Sequence, residues 1–292
     1  MKLRAKVNLA LSGAFLVGLL VATGGAYKLL IDEALDSSAR DARIIMEGAS
    51  AIRTYTLTEI YPLLDPQLNV QFLPHTVSAY AAQTNFKLMQ KKLPEYSYRE
   101  PALNPTNIND RAVDWEAEII NTFRERPDQT DLTLIRSTPI GKFLTLTRPL
   151  KVGSQGCLRC HSTPEAAPPT MVALYGSKNG FGWKLNEVVA AQVVSIPLAV
   201  PLQRAYDSLL LLVAGLVGVF LLMLLIVNVL LRILVVKPVI GISDMATEVS
   251  MGKLDAPEYV HRSDDEIGSL ATSFNRMRRS LQNAMKMLDE QA

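Results

Sequence analysis

The sequence predicts an α+β domain with an antiparallel sheet, held between two membrane-spanning helices and followed by an all-α coiled-coil segment. Three observations predict it. Two long apolar runs lie near residues 7–27 and 209–231, helix-period segments give way to short β-type segments between them, and a three-four apolar spacing follows them. Lys+Arg 30 against Asp+Glu 28 in 292 residues leaves a net charge of +2, so the balance gives nucleic acid no footing.

Residues 1–6 carry Lys2, Arg4 and Lys6, and a first span over residues 7–30 begins with the apolar run Val7 to Tyr27. Such a run, about 21 residues, crosses a hydrocarbon core as a helix, and basic residues before it mark a cytoplasmic end. It reads as a signal anchor, with cleavage near Ala22-Thr23-Gly24 or Gly24-Gly25-Ala26 as the alternative. The second span, residues 208–231, has Asn228 as its one strongly polar residue and is followed by Arg232 and Lys237. A buried core helix is the other reading, but so long a run without a polar face disfavours it. Residues 31–207 are then expected outside the cytoplasm, the chain lying in the inner (cytoplasmic) membrane with the lipid bilayer as its first partner.

In the outer segment, Ile31, Ala34, Leu35, Ile44, Ile45, Ala49 and Ile52 recur at helical spacing to about Thr58, where Tyr61-Pro62 and Asp65-Pro66 are expected to break the helix. Further helices are expected over Val77–Lys92 and Asp110–Arg126, each ended by a proline, with Asn104-Pro105-Thr106-Asn107 as a turn. Strands follow over Leu132–Arg136, Phe143–Arg148 and Val188–Ile196. Gly176 to Trp183 is a glycine-rich loop whose two aromatics read as a packing lid, since a P-loop's Lys-Ser/Thr and helix are missing.

Cys157-Leu158-Arg159-Cys160-His161 falls after Pro149, in a segment read as irregular. Cys-x-x-Cys-His is the attachment pattern of a c-type haem: two thiols form thioethers with the vinyl groups, and the adjacent imidazole is the proximal iron ligand. One covalent heme c on Cys157 and Cys160, with His161 on the metal, is the expectation. A redox-active dithiol and a zinc site are the alternatives; the first leaves the histidine unexplained, and the second needs a fourth donor such as His75. Cysteine attachment suits an extracytoplasmic compartment, in agreement with the topology. For the second iron ligand, Met46 on the long helix is the first choice, with Met89, Met171, His75 and Tyr55 behind it. Arg53 and Arg148 are candidate partners of the haem propionates, because a guanidinium fork matches a carboxylate.

Beyond Pro238, Val239, Ile242, Ala246 and Val249 form one seam, Gly252 ends it, and a connector containing Leu254 and Pro257 leads to Asp264-Asp265-Glu266-Ile267-Gly268. A second seam runs through Ile267, Leu270, Phe274, Met277, Leu281, Ala284 and Leu288. Two such helices from each of two chains bury their stripes as a four-helix bundle; a solvated or membrane-surface helix is the alternative.

Lys237-Pro238 and Asp265-Glu266-Ile267-Gly268, directly after a span, resemble the HAMP signal-relay module, here residues 232–292. Ala102 to Asn107, Arg148-Pro149-Leu150, Cys157 to Ser162, Ala167-Pro168 and Gly180-Phe181-Gly182-Trp183 resemble the membrane-anchored, single-haem, PAS-like sensor family. The resemblance implies a PAS-like outer fold, covalent haem on Cys157 and Cys160, ligation by His161 and a homodimer through HAMP. Some members of that wider family are expected to use a cysteine as second ligand; with Cys 2 in the chain, both in the motif, that carry-over fails here.

The function these readings support is a receptor that senses redox state or a small gas through its haem and relays the change across the membrane to a cytoplasmic signalling partner or an output domain missing from this chain. A membrane-anchored electron-transfer cytochrome is the alternative. No enzymatic role is expected, since no distal acid-base pair can be located.

Overall fold

The computed structural model describes residues 3–253, 255, 257–260 and 263–289, with the backbone alone for Leu288 and Asp289. Lys2 and Leu254 of the expected basic flank and connector, and the side chain of Leu288 in the expected seam, lie outside the described residues. The chain divides into two compact units, Ala26–Leu209 and Met1–Gly25 with Leu210–Ala292.

The first unit is a mixed α+β arrangement on a four-stranded antiparallel sheet. The strands β1 (Ser97–Arg99), β2 (Leu132–Thr138), β3 (Gly141–Lys151) and β4 (Val188–Pro197) lie in the order β1-β4-β3-β2. Helix α1 (Leu3–Tyr55) buries Ala42, Met46 and Ala49, one stripe at three-four spacing, against Phe86 of α3 (Ser78–Gln90) and Leu144, Leu146, Val194 and Ile196 of the two central strands. On the opposite face α4 (Asp114–Glu125) packs Ile119, Ile120 and Phe123 against Ala191 and Val193. Covering both faces is why β4 reads as an almost continuous apolar run and not an alternating one. Burying the Phe123 ring, 1% exposed, contributes about 2 kcal/mol.

Three local expectations need correction. The helix does not break at Tyr61-Pro62: α1 gives way to a π-helical turn (Thr56–Ile60), and Pro62 sits in the first turn of α2 (Tyr61–Leu64), where its missing N–H costs nothing. Asp65-Pro66 likewise opens a 3₁₀ turn, Asp65–Asn69. Residues 155–161 are not irregular but form a short helix, α5 (Gln155–His161), which the chain enters just after a register shift at Leu150/Lys151 ends the β3 ladder, and α6 (Pro169–Tyr175) follows. The three-residue strand β1, between Pro94 and Pro101, was absent from the expectation.

In the second unit, α7 (Ala199–Leu230) runs through another π-helical turn (Leu231–Val236) into α8 (Lys237–Ser250), and α9 (Glu266–Asp289) follows. Two helical stretches, Leu3–Asn69 and Ala199–Ser250, are long and apolar enough to cross a membrane. The lone asparagines of the two runs find each other: Asn8 and Asn228 exchange side-chain hydrogen bonds of 3.1 and 2.9 Å, and Phe15 stacks on Phe220. Between α8 and α9 lies a small core of Ile242, Val249, Ala271 and Phe274, while Leu270 of the expected seam is about half exposed in the single chain. Asp265 accepts from the Ile267 and Gly268 N–H groups and so caps α9, and a Cβ on Gly268 would lie 1.7 Å from the Ser263 carbonyl oxygen. The Asp-Glu-Ile-Gly sequence is thus explained as a cap followed by a close chain approach.

Candidate functional site

Helix α5 is seven residues long, so Cys157 and Cys160 are one turn apart on one side, and His161 closes the helix. Both thiols are free and half-buried. They face different neighbours. Cys157 packs with Val152, Ala102 and Trp183 at the end of the sheet, whereas Cys160 packs in the cluster of Leu68, Phe72, Ala167 and Met171. Burial pushes the Cys160 thiol above its ordinary pKa, with Arg159 opposing and Asp65 adding to the shift.

His161 is the most closely held side chain of the motif. Its Nδ1 lies 2.7 Å from the Gly180 carbonyl oxygen, so Nδ1 carries the proton and donates, leaving the Nε2 lone pair for a metal. Trp183 stacks on the imidazole, with ring centroids 3.9 Å apart and planes within 11°. Burial lowers the imidazole pKa while the bond to Gly180 raises it; the neutral ring is the ligating form. The glycine-rich loop is pinned by backbone bonds from Gly182 N–H to Ser162 and from Trp183 N–H to His161.

Arg159, the middle of the motif, donates to the Tyr61 hydroxyl at 3.0 Å and to the Asp65 carboxylate at 2.6 Å. The segment directly after α1 and its π-helical turn is thereby tied to the motif helix. Thr170 adds a second tie to the Leu68 carbonyl.

The remaining expected site residues lie elsewhere. Met46, 0% exposed, is core filler between α1, α3 and the sheet, in a cluster that contains none of Cys157, Cys160 and His161; helical spacing made it look available, but its face of α1 is consumed by packing. Arg53 pairs with the buried Glu100, and Arg148 pairs with Glu47 at 2.7 Å, so each guanidinium already has a carboxylate of the chain. His75 stands edge-on to Tyr80, beside an open groove of about 570 Å³ that it lines with Ile52, Tyr55 and Asn85. Among the described residues no three His, Cys, Asp or Glu side chains group to hold a metal ion by themselves, which a zinc site requires. Of the other candidate methionines, Met171 shares a cluster with Cys160, and Met89 packs on the Met46 core.

Sequence reasoning missed the parts that surround the imidazole: the Gly180 carbonyl, the Trp183 plane and the Asp65–Arg159 tie. The glycine-rich loop was visible as a loop, but nothing in its spacing says that it closes on a histidine 19–22 positions earlier.

The two thiols, both free, and an imidazole whose Nδ1 is already engaged form a donor set that fits a covalently attached haem. In comparison with known proteins, the family model described as Tll0287-like matches residues 32–197, and the HAMP domain model matches residues 230–283. Among solved structures, the chain is similar to the cyanobacterial heme-protein Tll0287 at 15% identity and a TM-score of 0.43, over 55% of this chain and 95% of that one. No curated protein matches the sequence.

Proposed function

The chain belongs to the Tll0287-like family, and from that premise we propose that it is a membrane receptor carrying one covalent heme c, which senses redox state or a small gaseous ligand and relays the change through its HAMP domain. The observation that carries the reading is the motif helix itself: Cys157 and Cys160 one turn apart, with His161 fixed so that Nε2 is left as a donor. The family takes its name from a protein described as a cyanobacterial heme-protein, in keeping with that reading.

Cys157 and Cys160 would hold the group through thioethers, and His161 would ligate the iron. Bound there, the haem would supply a one-electron couple and an iron able to respond to redox state or a small gas. The rest falls to the chain. Gly180 holds the imidazole proton at Nδ1, and Arg159 passes any displacement of α5 to Asp65 and Tyr61. Those two residues follow the π-helical turn at the end of α1, a helix that also contributes the first apolar run. A turn with wide i→i+5 bonding shifts register at small cost, so it suits a two-state element.

We read the outer fold as PAS-like, supported by its antiparallel sheet with helices packed on it. We read the topology as two-pass, with residues 31–207 in the periplasm, supported by the two helical stretches long and apolar enough to cross a membrane. Leu270, Met277 and Leu281 of α9 are about half exposed in a single chain, an apolar stripe suited to a homodimeric HAMP bundle facing a cytoplasmic signalling partner. In this reading the sixth ligand is sought elsewhere than Met46, whose side chain is buried in the α1 core.

The test is cysteine crosslinking along α9 in membranes poised oxidised, reduced, and reduced under carbon monoxide. Redox sensing predicts a changed crosslinking pattern between the first two, and gas sensing between the last two. A pattern identical in all three, with rapid electron exchange to a soluble cytochrome, supports the alternative of a membrane-anchored electron-transfer protein.

A further inference from the structure

Two short sequence elements play no part in the attachment chemistry: Asn104 to Asn107 and the loop Gly180-Phe181-Gly182-Trp183. They meet around His161. Thr106 Oγ1 lies 3.5 Å from His161 Nδ1, and Asn104 Nδ2 donates to the Phe181 carbonyl at 3.4 Å. Arg111 bonds the Asn179 side chain at 3.0 Å, a further tie between residues flanking those two stretches. Gly180 has a φ of +83°, and a Cβ there would stand 2.0 Å from Thr106 Oγ1 and 2.8 Å from its Cα. Only glycine lets the loop settle close enough on Thr106 for its carbonyl to reach the imidazole.

We infer that Gly180, Thr106 and Trp183 form a collar of positioning residues that fixes the tautomer, plane and basicity of His161 and thereby sets the electronic character of the iron it ligates. The inference rests on the haem reading and deepens it. The Gly180 carbonyl accepts from Nδ1 and makes Nε2 a stronger donor, as second-shell acceptors do for metal-bound imidazoles. Trp183 supplies a plane parallel to the ring, which restricts rotation about the histidine side-chain torsions. A stronger, fixed donor favours the ferric state, so loosening the collar raises the midpoint potential.

The experiment compares full-length wild type with Trp183→Leu, Trp183→Phe and, as a control of like size outside the haem site, Trp115→Leu, whose ring lies under Arg136 and packs with the α4 cluster. Ferric electron paramagnetic resonance and the midpoint potential are read in each. Trp183→Leu is expected to broaden or shift the ferric signal and raise the potential, Trp183→Phe to do both by a smaller step, and Trp115→Leu to change neither. If Trp183→Leu takes up no pigment, Trp183→Phe decides: an intermediate shift supports the collar, and none overturns it. Pigmented variants that all match wild type, or a Trp115→Leu shift as large as that of Trp183→Leu, overturn the collar and leave the haem reading standing. Wild type without covalent pigment removes both.

Discussion

Two ion pairs link α1 to the rest of the outer unit, and they differ in almost everything but composition. Arg53 meets Glu100, whose side chain is 2% exposed, while Arg148 meets Glu47, whose side chain is 66% exposed. Glu100 also accepts from the Tyr98 hydroxyl at 2.7 Å, and Tyr98 accepts from Gln192 at 2.9 Å, so the buried carboxylate belongs to a network joining α1, β1 and β4. Burial pushes the Glu100 pKa up against the pull of Arg53, and it holds the Tyr98 phenol protonated. Arg148 does the opposite to Glu47, whose pKa its hydrogen bond lowers. The comparison teaches that an arginine's role is set by what surrounds its partner: one pair governs whether a buried charge is tolerated, the other decorates a surface.

The widest separation is expected from removing each arginine. Arg53→Ala strands a buried carboxylate and is predicted to destabilise the domain by about 3 kcal/mol at pH 8, measured by chemical denaturation. Glu100 has its folded pKa raised, so the unfolded chain ionises first as pH rises, and stability present below the unfolded value is lost up through the folded one. The Arg53→Ala penalty should therefore shrink on acidification to pH 5; a penalty independent of pH would mean that Glu100 is not the group left stranded. Next in size, Glu100→Gln keeps the shape but weakens the pair, with an expected cost of about 1 kcal/mol that falls as pH rises, because glutamine has no charge to bury. Smallest is Glu47→Gln, for which the melting midpoint should be indistinguishable from wild type in ordinary salt. A Glu47 effect rivalling that of Glu100 would break the comparison.

Neither pair was legible in the sequence. Arg53 and Arg148 both looked like propionate partners, because nothing in one dimension says that Glu100, after a three-residue strand, would turn inward beside α1. Met46 was ambiguous for a related reason: the three-four period that identifies α1 marks its buried face without saying whether core or cofactor covers it. What the sequence does carry is local chemistry. The Cys-x-x-Cys-His spacing, the two apolar runs and the Asp-Glu-Ile-Gly start of α9 each state their own constraint within a few residues. The collar around His161 escaped notice because its parts come from residues 104–107 and 180–183, brought together only by the fold.

The central claim is that a haem is fastened to α5 by both thiols and ligated by His161, and one measurement tests it most directly. Full-length protein is made in a host that matures c-type cytochromes, extracted with acid acetone, and the polypeptide's absorbance and intact mass are compared for wild type and the Cys157→Ala, Cys160→Ala pair. The account predicts a Soret band and one haem of added mass that stay with the wild-type chain and are gone from the double variant. A wild-type chain that is colourless, or that surrenders its pigment to the acetone, contradicts it.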